Sequence, residues 1–355
     1  MAGPLSKYAL INAKLRGRIS QILPEESFAQ LSKAPSLDTA LALLRDTAYS
    51  GLEGIYAQTG DLKLAELELL KLEIRLYIEI NQHLHKNTHP ILQALLTRFE
   101  IDNLKNAIRV YFDRKVRGRS VEASVHYILH ETIIHSIPME VVVNANAFDE
   151  IAGVCQNTPY GEIIRKYSHV VESEGSLFRL EVALDHYYYE TLLGSIEHLS
   201  VRDKRIAQRL IGSEIDLQNI NWIMRLKQYY DLPLETVLTT LIPGGYSLRR
   251  LQIEGIYRTK DMTSLLQDFV KEQYPGLSTL LATPTSDSAA RLRILQQILE
   301  EIKRQEVQHI LSGYPFTIGI VLAYFFLKGD EMARVKTLLN AKHYGLTTEL
   351  MGSAR

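Results

Sequence analysis

One short pattern recurs three times along the chain at nearly even intervals. In each copy an acidic residue precedes a polar residue by three positions, and an aliphatic residue follows the polar one directly. The copies are Glu100-Ile-Asp-Asn103-Leu104, Asp216-Leu-Gln-Asn219-Ile220 and, more weakly, Glu331-Met-Ala-Arg334-Val335. The central polar residues are 116 and 115 residues apart. That period is too long for a stacked solenoid repeat and is typical of a complete small domain. The sequence therefore predicts three copies of one domain.

A second sequence marker recurs once in each third of the chain, in step with the acidic–polar pattern. An aliphatic-proline pair precedes a predicted helical stretch in each third of the chain, where proline suits the first turn of a helix. An aromatic residue follows about two dozen positions later in each case. The pairs are Leu23-Pro24, Ile137-Pro138 and Ile242-Pro243, and the aromatic residues are Tyr49, Tyr160 and Phe269. Because two independent markers agree, chance is a poor explanation for the period.

The two markers divide the chain into three predicted units. They cover residues 20–134, 135–240 and 241–355. The first 20 residues precede the repeat and are predicted to form an extra helix from Leu5 to Ile22, which belongs with the first domain at 1–134.

Hydrophobic periodicity predicts helices almost throughout. The segment from Asp61 to Ile80 carries two apolar stripes at helical spacing, which is typical of a helix packed on two sides within a bundle. Similar spacing recurs at 177–193, 292–310 and 318–339. Val141-Val-Val143 is β-branched, but an isolated strand has no partner. The predicted fold class is all-α, with three structurally similar helical domains.

Composition excludes several classes of protein. The 40 basic and 41 acidic residues nearly balance, so no global basic field indicates nucleic acid. Cys155 is the only cysteine, which excludes an intrachain disulfide and a cysteine-rich zinc site. The N-terminus does not read as a signal peptide. The most apolar stretch, Pro315 to Leu327, is shorter than the roughly 18–20 residues that span a bilayer, so we expect a buried helix.

The sequence lacks the common catalytic motifs. It contains no Gly-Lys pair of a nucleotide-binding P-loop, no Gly-x-Gly-x-x-Gly and no Gly-x-Ser-x-Gly. It also contains no Asp-Asp pair of the kind that holds metal in all-helical synthases. We therefore predict no catalytic residue and no direct nucleotide binding.

The sequence contains only incomplete sets of potential metal ligands. His130 and His135 are five apart, which places them on different helix faces. Glu306-Val-Gln-His309 has the spacing of one half of a di-iron site, but a second such pair is missing. His126 with His130, and His85 with His89, provide two ligands each, and a third would have to come from elsewhere. The prediction is that no metal and no cofactor is bound.

The repeated acidic and polar residues are the candidate site residues. On a helix, residues three apart share a face, so Glu100 can meet Asn103 and Asp216 can meet Asn219, with an ion pair in the third copy. Buried polar pairs of this kind more often join neighbouring helices than bind a ligand. The full set, including the residue six positions after each anchor, is Glu100, Asn103, Arg109, Asp216, Asn219, Arg225, Glu331, Arg334 and Asn340.

Three basic clusters stand out, at 114–119, 202–209 and 249–258. Such clusters are usually solvated faces. The alternative is contact with acidic loops or with lipid headgroups beside a membrane.

Several of these segments resemble one known family, the C subunits of the prokaryotic V-type (A-type) rotary ATPases, which are equivalent to the d subunit of the eukaryotic V-ATPase. The similar segments span the chain and are Tyr8 to Arg16, Glu100 to Arg109, Leu184 to Tyr189, Asp216 to Arg225, Pro315 to Tyr324 and Glu331 to Leu346. The third repeat departs from the pattern, with Arg334 in place of the expected asparagine and Asn340 in place of the expected arginine.

The resemblance implies a non-catalytic, all-helical protein of three lobes around a pseudo-threefold axis, shaped as a funnel. It implies a place in the central stalk, on the cytoplasmic face of the membrane, as a peripheral subunit. The implied partners are the central shaft subunits and the membrane proteolipid ring, with one copy of this chain in a hetero-oligomer. The implied role is to transmit torque for ATP-coupled transport of protons or sodium ions.

Two other classes of function stay open at this point. The chain could be an all-helical scaffold or adaptor with soluble partners, or an all-helical metal enzyme. The sequence leaves open which residues contact the shaft or the ring, which ion is moved, and whether the assembly pumps ions or makes ATP.

Overall fold

The computed structural model describes residues 4–229, 233–248, 250–258 and 288–346. Every regular element in these ranges is helical, and they contain no β-strand, so the all-α prediction is confirmed. The helices before residue 116 are α1 Pro4–Ile19, α2 Glu25–Lys33, α3 Leu37–Ala42, α4 Gly51–Thr59, α5 Leu62–His83 and α6 His89–Lys115, with a 3-10 turn at Lys86–Thr88. The middle of the chain holds α7 Glu122–Val125, α8 Met139–Asn144, α9 Phe148–Val154, α10 Pro159–Glu174 and α11 Phe178–Ser195, with a 3-10 turn at Ile196–His198. The remaining described helices are α12 Val201–Tyr229, α13 Leu234–Thr240, α14 Arg250–Arg258, α15 Ser288–Ser312 and α16 Gly319–His343.

The chain forms two compact units. The first combines the N-terminal segment Met1–Ala48 with Leu199–Arg355, and the second is the continuous segment Tyr49–His198. In the first unit, α1, α2 and α3 pack on α16, and α16 also packs on α12 and α15. The N-terminal residues are thus held by a helix about 300 residues later in the chain.

The second unit is organised around α6. This helix packs against α5, α8 and α11, while α10 packs against α9 and α11. Local sequence signals begin and end these helices. Asp61 caps α5 by accepting a hydrogen bond from the Lys63 amide at 2.8 Å, and Pro90 lies in the first turn of α6. Gly60 and Gly175 end α4 and α10 with positive φ angles of 65° and 59°, a conformation that glycine adopts without steric cost.

The long periodic segments fold as predicted, with small shifts at their ends. The 61–80 prediction corresponds to α5. One of its apolar stripes consists of Leu62, Ala65, Leu69, Leu72 and Leu76, and all of these are buried except Leu72, which is 44% exposed. Val141-Val-Val143 lies in the short helix α8 and not in a strand. The apolar stretch from Pro315 to Leu327 is helical only from Gly319 onward. Among the described residues, no helix is both long enough and apolar enough to cross a bilayer.

Residues 25–115 and 139–229 have the same order of elements. Each segment contains two short helices, a third helix of 9 or 16 residues, a fourth of 22 or 18 residues, a three-residue 3-10 turn and a final helix of 27 or 29 residues. The final helices are α6 and α12, and each carries one copy of the acidic–polar pattern. The third copy lies in α16, whose unit includes residues 259–287, outside the described ranges.

Candidate functional site

The first copy of the pattern binds backbone outside its own helix. Asn103 is buried in α6, and its Nδ2 donates to the carbonyl oxygen of Leu129 at 2.8 Å. Its Oδ1 accepts from the amide of the same residue at 2.9 Å. One carboxamide thereby satisfies both polar groups of one buried peptide residue, which would otherwise be costly to remove from water. We call this arrangement an amide clamp.

Glu100 holds the next part of the same segment. Its Oε2 accepts from the amides of Ile134 and His135 at 2.8 and 2.7 Å. Its Oε1 accepts from the hydroxyl of Tyr160 at 2.8 Å and lies 2.6 Å from Nδ1 of His135. The carboxylate is 1% exposed, and these partners compensate for its removal from water.

The second copy repeats this geometry in α12. Asn219 donates from Nδ2 to the carbonyl oxygen of Ile242 at 2.8 Å and accepts from the Ile242 amide at 2.8 Å. Asp216 accepts from the amide of Ser247 at 2.6 Å through Oδ2. In both copies the acid therefore binds an amide five residues after the clamped residue, at Leu129 with Ile134 and at Ile242 with Ser247.

The third copy holds the start of the chain with charged groups. Glu331 in α16 accepts from the Leu23 amide at 2.8 Å and from Nζ of Lys328 at 2.6 Å. Arg334 makes two hydrogen bonds of 2.6 Å to the carboxylate of Glu25. Leu23, whose amide binds Glu331, precedes Pro24, and the clamped Ile242 precedes Pro243. Two of the three copies therefore bind the aliphatic-proline marker.

Within each copy, no hydrogen bond or ion pair among the residues that the structure describes joins the acid to the polar residue, contrary to the prediction. The acid and the polar residue bind separate groups on the segment opposite the helix in all three copies. The residues six positions later behave differently from one another. Arg109 is half-exposed and pairs with Glu181 of α11 at 2.7 Å. Asn340 bonds to the Lys336 carbonyl at 2.9 Å, and the side chain of Arg225 lies outside the described residues.

Asp216, the acid of the second copy, has an altered pKa. Burial raises the pKa of Asp216 to about 6, although amides of Ser247, Leu248 and Tyr246 act in the opposite direction. Oδ1 of Asp216 and the nearby Oγ of Ser213 have no hydrogen-bond partner in the described part of the chain. Gly245 packs so closely on this carboxylate that an added Cβ would collide with Oδ1. A side chain at position 245 would therefore have to displace the Asp216 carboxylate.

Burial also changes two groups around Glu100. It raises the pKa of Tyr160, and the adjacent Glu100 carboxylate adds to this effect, so the hydroxyl stays protonated and donates its hydrogen bond. The same two causes raise the pKa of Cys155 to about 12. A buried thiol of that pKa is not a reactive nucleophile at neutral pH.

The histidine and glutamate side chains with metal-ligand spacing form other interactions. His135 bonds to Glu100, and Glu306 forms a bidentate salt bridge with Arg209 at 2.6 and 3.0 Å. His130 lies 3.8 Å from Glu140. Among the described residues, no three His, Cys, Asp or Glu side chains form a group that could hold a metal ion.

Sequence reasoning missed three charged centres that join helices. Asp203 in α12 accepts from the Tyr8 hydroxyl at 2.9 Å, the Ser200 hydroxyl at 2.8 Å and the Ile318 amide at 2.8 Å. The Ser200-x-x-Asp203 spacing is a helix-start signal that could have identified the Ser200 contact, but nothing in the sequence pairs Asp203 with Tyr8.

The other two missed centres are formed by lysines, of which Lys105 is buried and Lys303 is partly exposed. Lys303 in α15 contacts Asp330 of α16 at 2.8 Å and Glu214 of α12 at 3.4 Å. In the second unit, Lys105 of α6 forms a salt bridge with Asp185 of α11, and both side chains are largely buried. Each centre cross-links long helices through charge, and neither follows the repeat period.

Comparison with known proteins places the chain in one family. The sequence profile of the ATP synthase (C/AC39) subunit family matches residues 11–353. The C subunit of the A-type ATP synthase of Methanosphaera stadtmanae is 24% identical over 338 residues, which cover 94% of this chain and 84% of the relative. The corresponding proteins of Methanothermobacter thermautotrophicus and Pyrococcus horikoshii are 22% and 23% identical, over 95% and 93% of this chain and 84% and 85% of their own lengths. The family is a non-catalytic subunit of the synthase complex. With the match covering nearly the whole chain, the protein belongs to the ATP synthase (C/AC39) subunit family.

Proposed function

We propose that this chain is the central-stalk subunit that links the rotary shaft of an A-type or V-type ATPase to its membrane proteolipid ring. It carries torque between them, so that ATP hydrolysis moves protons or sodium ions, or ion flow drives ATP synthesis. The observation that carries this proposal is the family match over residues 11–353, together with relatives named as the C subunits of A-type ATP synthases.

The internal contacts suit a part that transmits force. Each copy of the pattern fixes a non-helical segment to a helix of 25 to 29 residues through buried hydrogen bonds. Charged centres at Lys303 and Lys105 join further helices. Close-packed interiors with satisfied polar networks resist deformation, and a torque-transmitting subunit needs that stiffness.

We further propose that the chain contains three related helical domains at 1–134, 135–240 and 241–355, arranged as a funnel around a pseudo-threefold axis. The equal clamp registers in α6 and α12 and the repeated element order in 25–115 and 139–229 support the first two domains. For the third, the support is Glu331 in α16, which holds Leu23 near the marker Pro24. A hollow between such domains would receive the shaft.

The proposed location is the cytoplasmic face of the membrane, as a peripheral subunit in contact with the proteolipid ring. The proposed partners are the shaft subunits and that ring, with one copy of this chain in the assembly. We propose no bound nucleotide, nucleic acid, cofactor or metal for this chain.

Affinity purification of the tagged chain from detergent-solubilised membranes of its source cells tests this function. We expect the shaft subunits and the ring proteolipid to co-purify, as identified by mass spectrometry. Recovery of soluble partners alone would instead support the adaptor alternative. A second measurement is the binding of the purified chain to its shaft at rising salt, since a polar socket predicts weaker binding at high ionic strength.

A further inference from the structure

The first unit carries three exposed arginines on α1 and α12, one of which lies against an exposed tyrosine. Arg202 and Arg205 are three positions apart in α12 and share a helix face. The Arg202 guanidinium lies 4.8 Å from the ring centroid of Tyr314, in the turn between α15 and α16. Arg16 of α1 donates to the Leu311 carbonyl at 3.0 Å, at the end of α15. We call this set, together with Val201, the arginine–tyrosine surface.

Within the described residues, the charges of this surface have no carboxylate partner. In the described part of the protein, none of Arg16, Arg202 and Arg205 forms a salt bridge with a carboxylate. The one acid among these positions, Asp203, is buried and binds Tyr8, Ser200 and Ile318. Elsewhere in the same unit, by contrast, Arg209 has its carboxylate partner Glu306.

The position of the two α12 arginines adds to this imbalance. They lie in the first five residues of a 29-residue helix, where the helix dipole is positive and favours acidic side chains. These arginines therefore do not stabilise the start of α12. A negatively charged partner would be attracted both by the guanidinium groups and by the dipole.

Apolar groups accompany the charge. Val201 is 83% exposed and Tyr314 is 48% exposed, and the Tyr314 ring also packs edge-on against Phe316 at 5.6 Å. Tyrosine and arginine are enriched at the centres of protein interfaces, where they supply rigid contact area and forked hydrogen-bond donors. Tyr314 covers one face of the Arg202 guanidinium and leaves the edge of the guanidinium available to bind a carboxylate with two hydrogen bonds.

We infer that the arginine–tyrosine surface binds an acidic protein segment, one that presents carboxylates and an apolar side chain to Tyr314 and Val201. This inference rests on the proposed function, because the segment belongs to another subunit of the rotary complex. A protein partner is favoured over a lipid surface because stacked arginines suit bidentate carboxylates, whereas a membrane surface requires only diffuse positive charge.

The test compares variants of the full chain added back to membranes that carry the rest of the rotary ATPase but lack this subunit. R202E/R205E reverses two charges at exposed positions, and R165E/K166E makes the same change at exposed positions of α10 in the other unit. Y314A removes the aromatic ring. Circular dichroism and thermal unfolding establish that all variants fold. We expect retention of R202E/R205E to fall at least tenfold and that of Y314A severalfold, with R165E/K166E retained like the wild type.

Sedimentation with phosphatidylcholine vesicles, with and without phosphatidylglycerol, distinguishes lipid from protein. Wild-type binding to the anionic vesicles that R202E/R205E abolishes would overturn the inference in favour of lipid. Equal retention of wild type, R202E/R205E and Y314A would also overturn it, as would an equal loss in the R165E/K166E control. If the wild type itself is not retained, the proposed function is wrong. If the wild type is retained and the variants match it, only the role of this surface is wrong.

Discussion

Asn103 binds both polar groups of Leu129, with Nδ2 2.8 Å from the carbonyl oxygen and Oδ1 2.9 Å from the amide nitrogen. Asparagine suits this task because its side chain carries one acceptor and one donor group at the same end, as a peptide bond does. Asn219 and Ile242 repeat the relationship in the other unit. The repeated residue is therefore a backbone clamp that joins a long helix to the segment following it.

Replacing Asn103 by leucine should be strongly destabilising. N103L keeps a similar volume but leaves the buried amide and carbonyl of Leu129 without partners, which costs about 2–4 kcal/mol in the free energy of unfolding. Urea denaturation followed by circular dichroism measures this loss. N106L, at an exposed position of the same helix, is the matched control and should change stability by less than about 0.5 kcal/mol. Equal stabilities for the two variants would show that the clamp contributes little.

Asp216 should make stability depend on pH in a defined direction. Its pKa is about 6 in the folded protein, above the ordinary value of 3.8 expected for the unfolded chain, so the folded state binds the proton more tightly. Its contribution is fully present below pH 4 and is lost as the pH rises through 6. Relative to D216N, which does not titrate, the wild type should therefore lose on the order of 2–3 kcal/mol between pH 4 and pH 7. Calorimetric unfolding at both pH values checks this, and parallel pH profiles for the two proteins would contradict it.

The pair of Glu25 and Arg334 should contribute modestly and respond to salt. Glu25 is 66% exposed at the side chain, so solvent screens the pair despite its two short hydrogen bonds. A double-mutant cycle with E25Q and R334Q should give a coupling of about 0.5–1 kcal/mol at low salt and less at 1 M NaCl. A cycle with the exposed neighbour Glu26, using E26Q and R334Q, should give a coupling near zero. Equal coupling in both cycles would mean that the effect is general electrostatics and not this contact.

Removing Lys303 alone should lower the free energy of unfolding more than removing it together with its acidic partners. K303M leaves Glu214 and Asp330 close together without their shared cation, and because their side chains are 27% and 52% exposed, solvent screens the centre and the loss should be about 1–2 kcal/mol. The triple variant K303M/E214Q/D330N should recover much of that loss, because no uncompensated charge is left. R304Q removes the neighbouring exposed arginine and serves as the control. Chemical denaturation ranks the four proteins, and a triple variant less stable than K303M would contradict this explanation.

Much of the fold followed from local sequence patterns. The apolar stripes between Asp61 and Ile80 predicted α5, because every α-helix places residues three and four apart on one face, whatever surrounds it. The secondary structure of short segments was harder to predict. Val141-Val-Val143 has strand-forming composition, yet it lies in α8, where packing against α6 overrides the intrinsic preference.

The sequence by itself determined the all-helical class, the 115-residue period and the identity of the recurring polar residues, because period and residue type are local properties. Only the tertiary structure decided what those residues bind. Asn103 does not pair with Glu100 three positions earlier but with Leu129, and Glu331 reaches Leu23 across 308 positions. The contacts of Asp203 and Lys303 also could not be predicted from the sequence. Helix periodicity fixes which face a side chain occupies, but the partner on that face depends on how distant helices pack, and no local pattern encodes that choice.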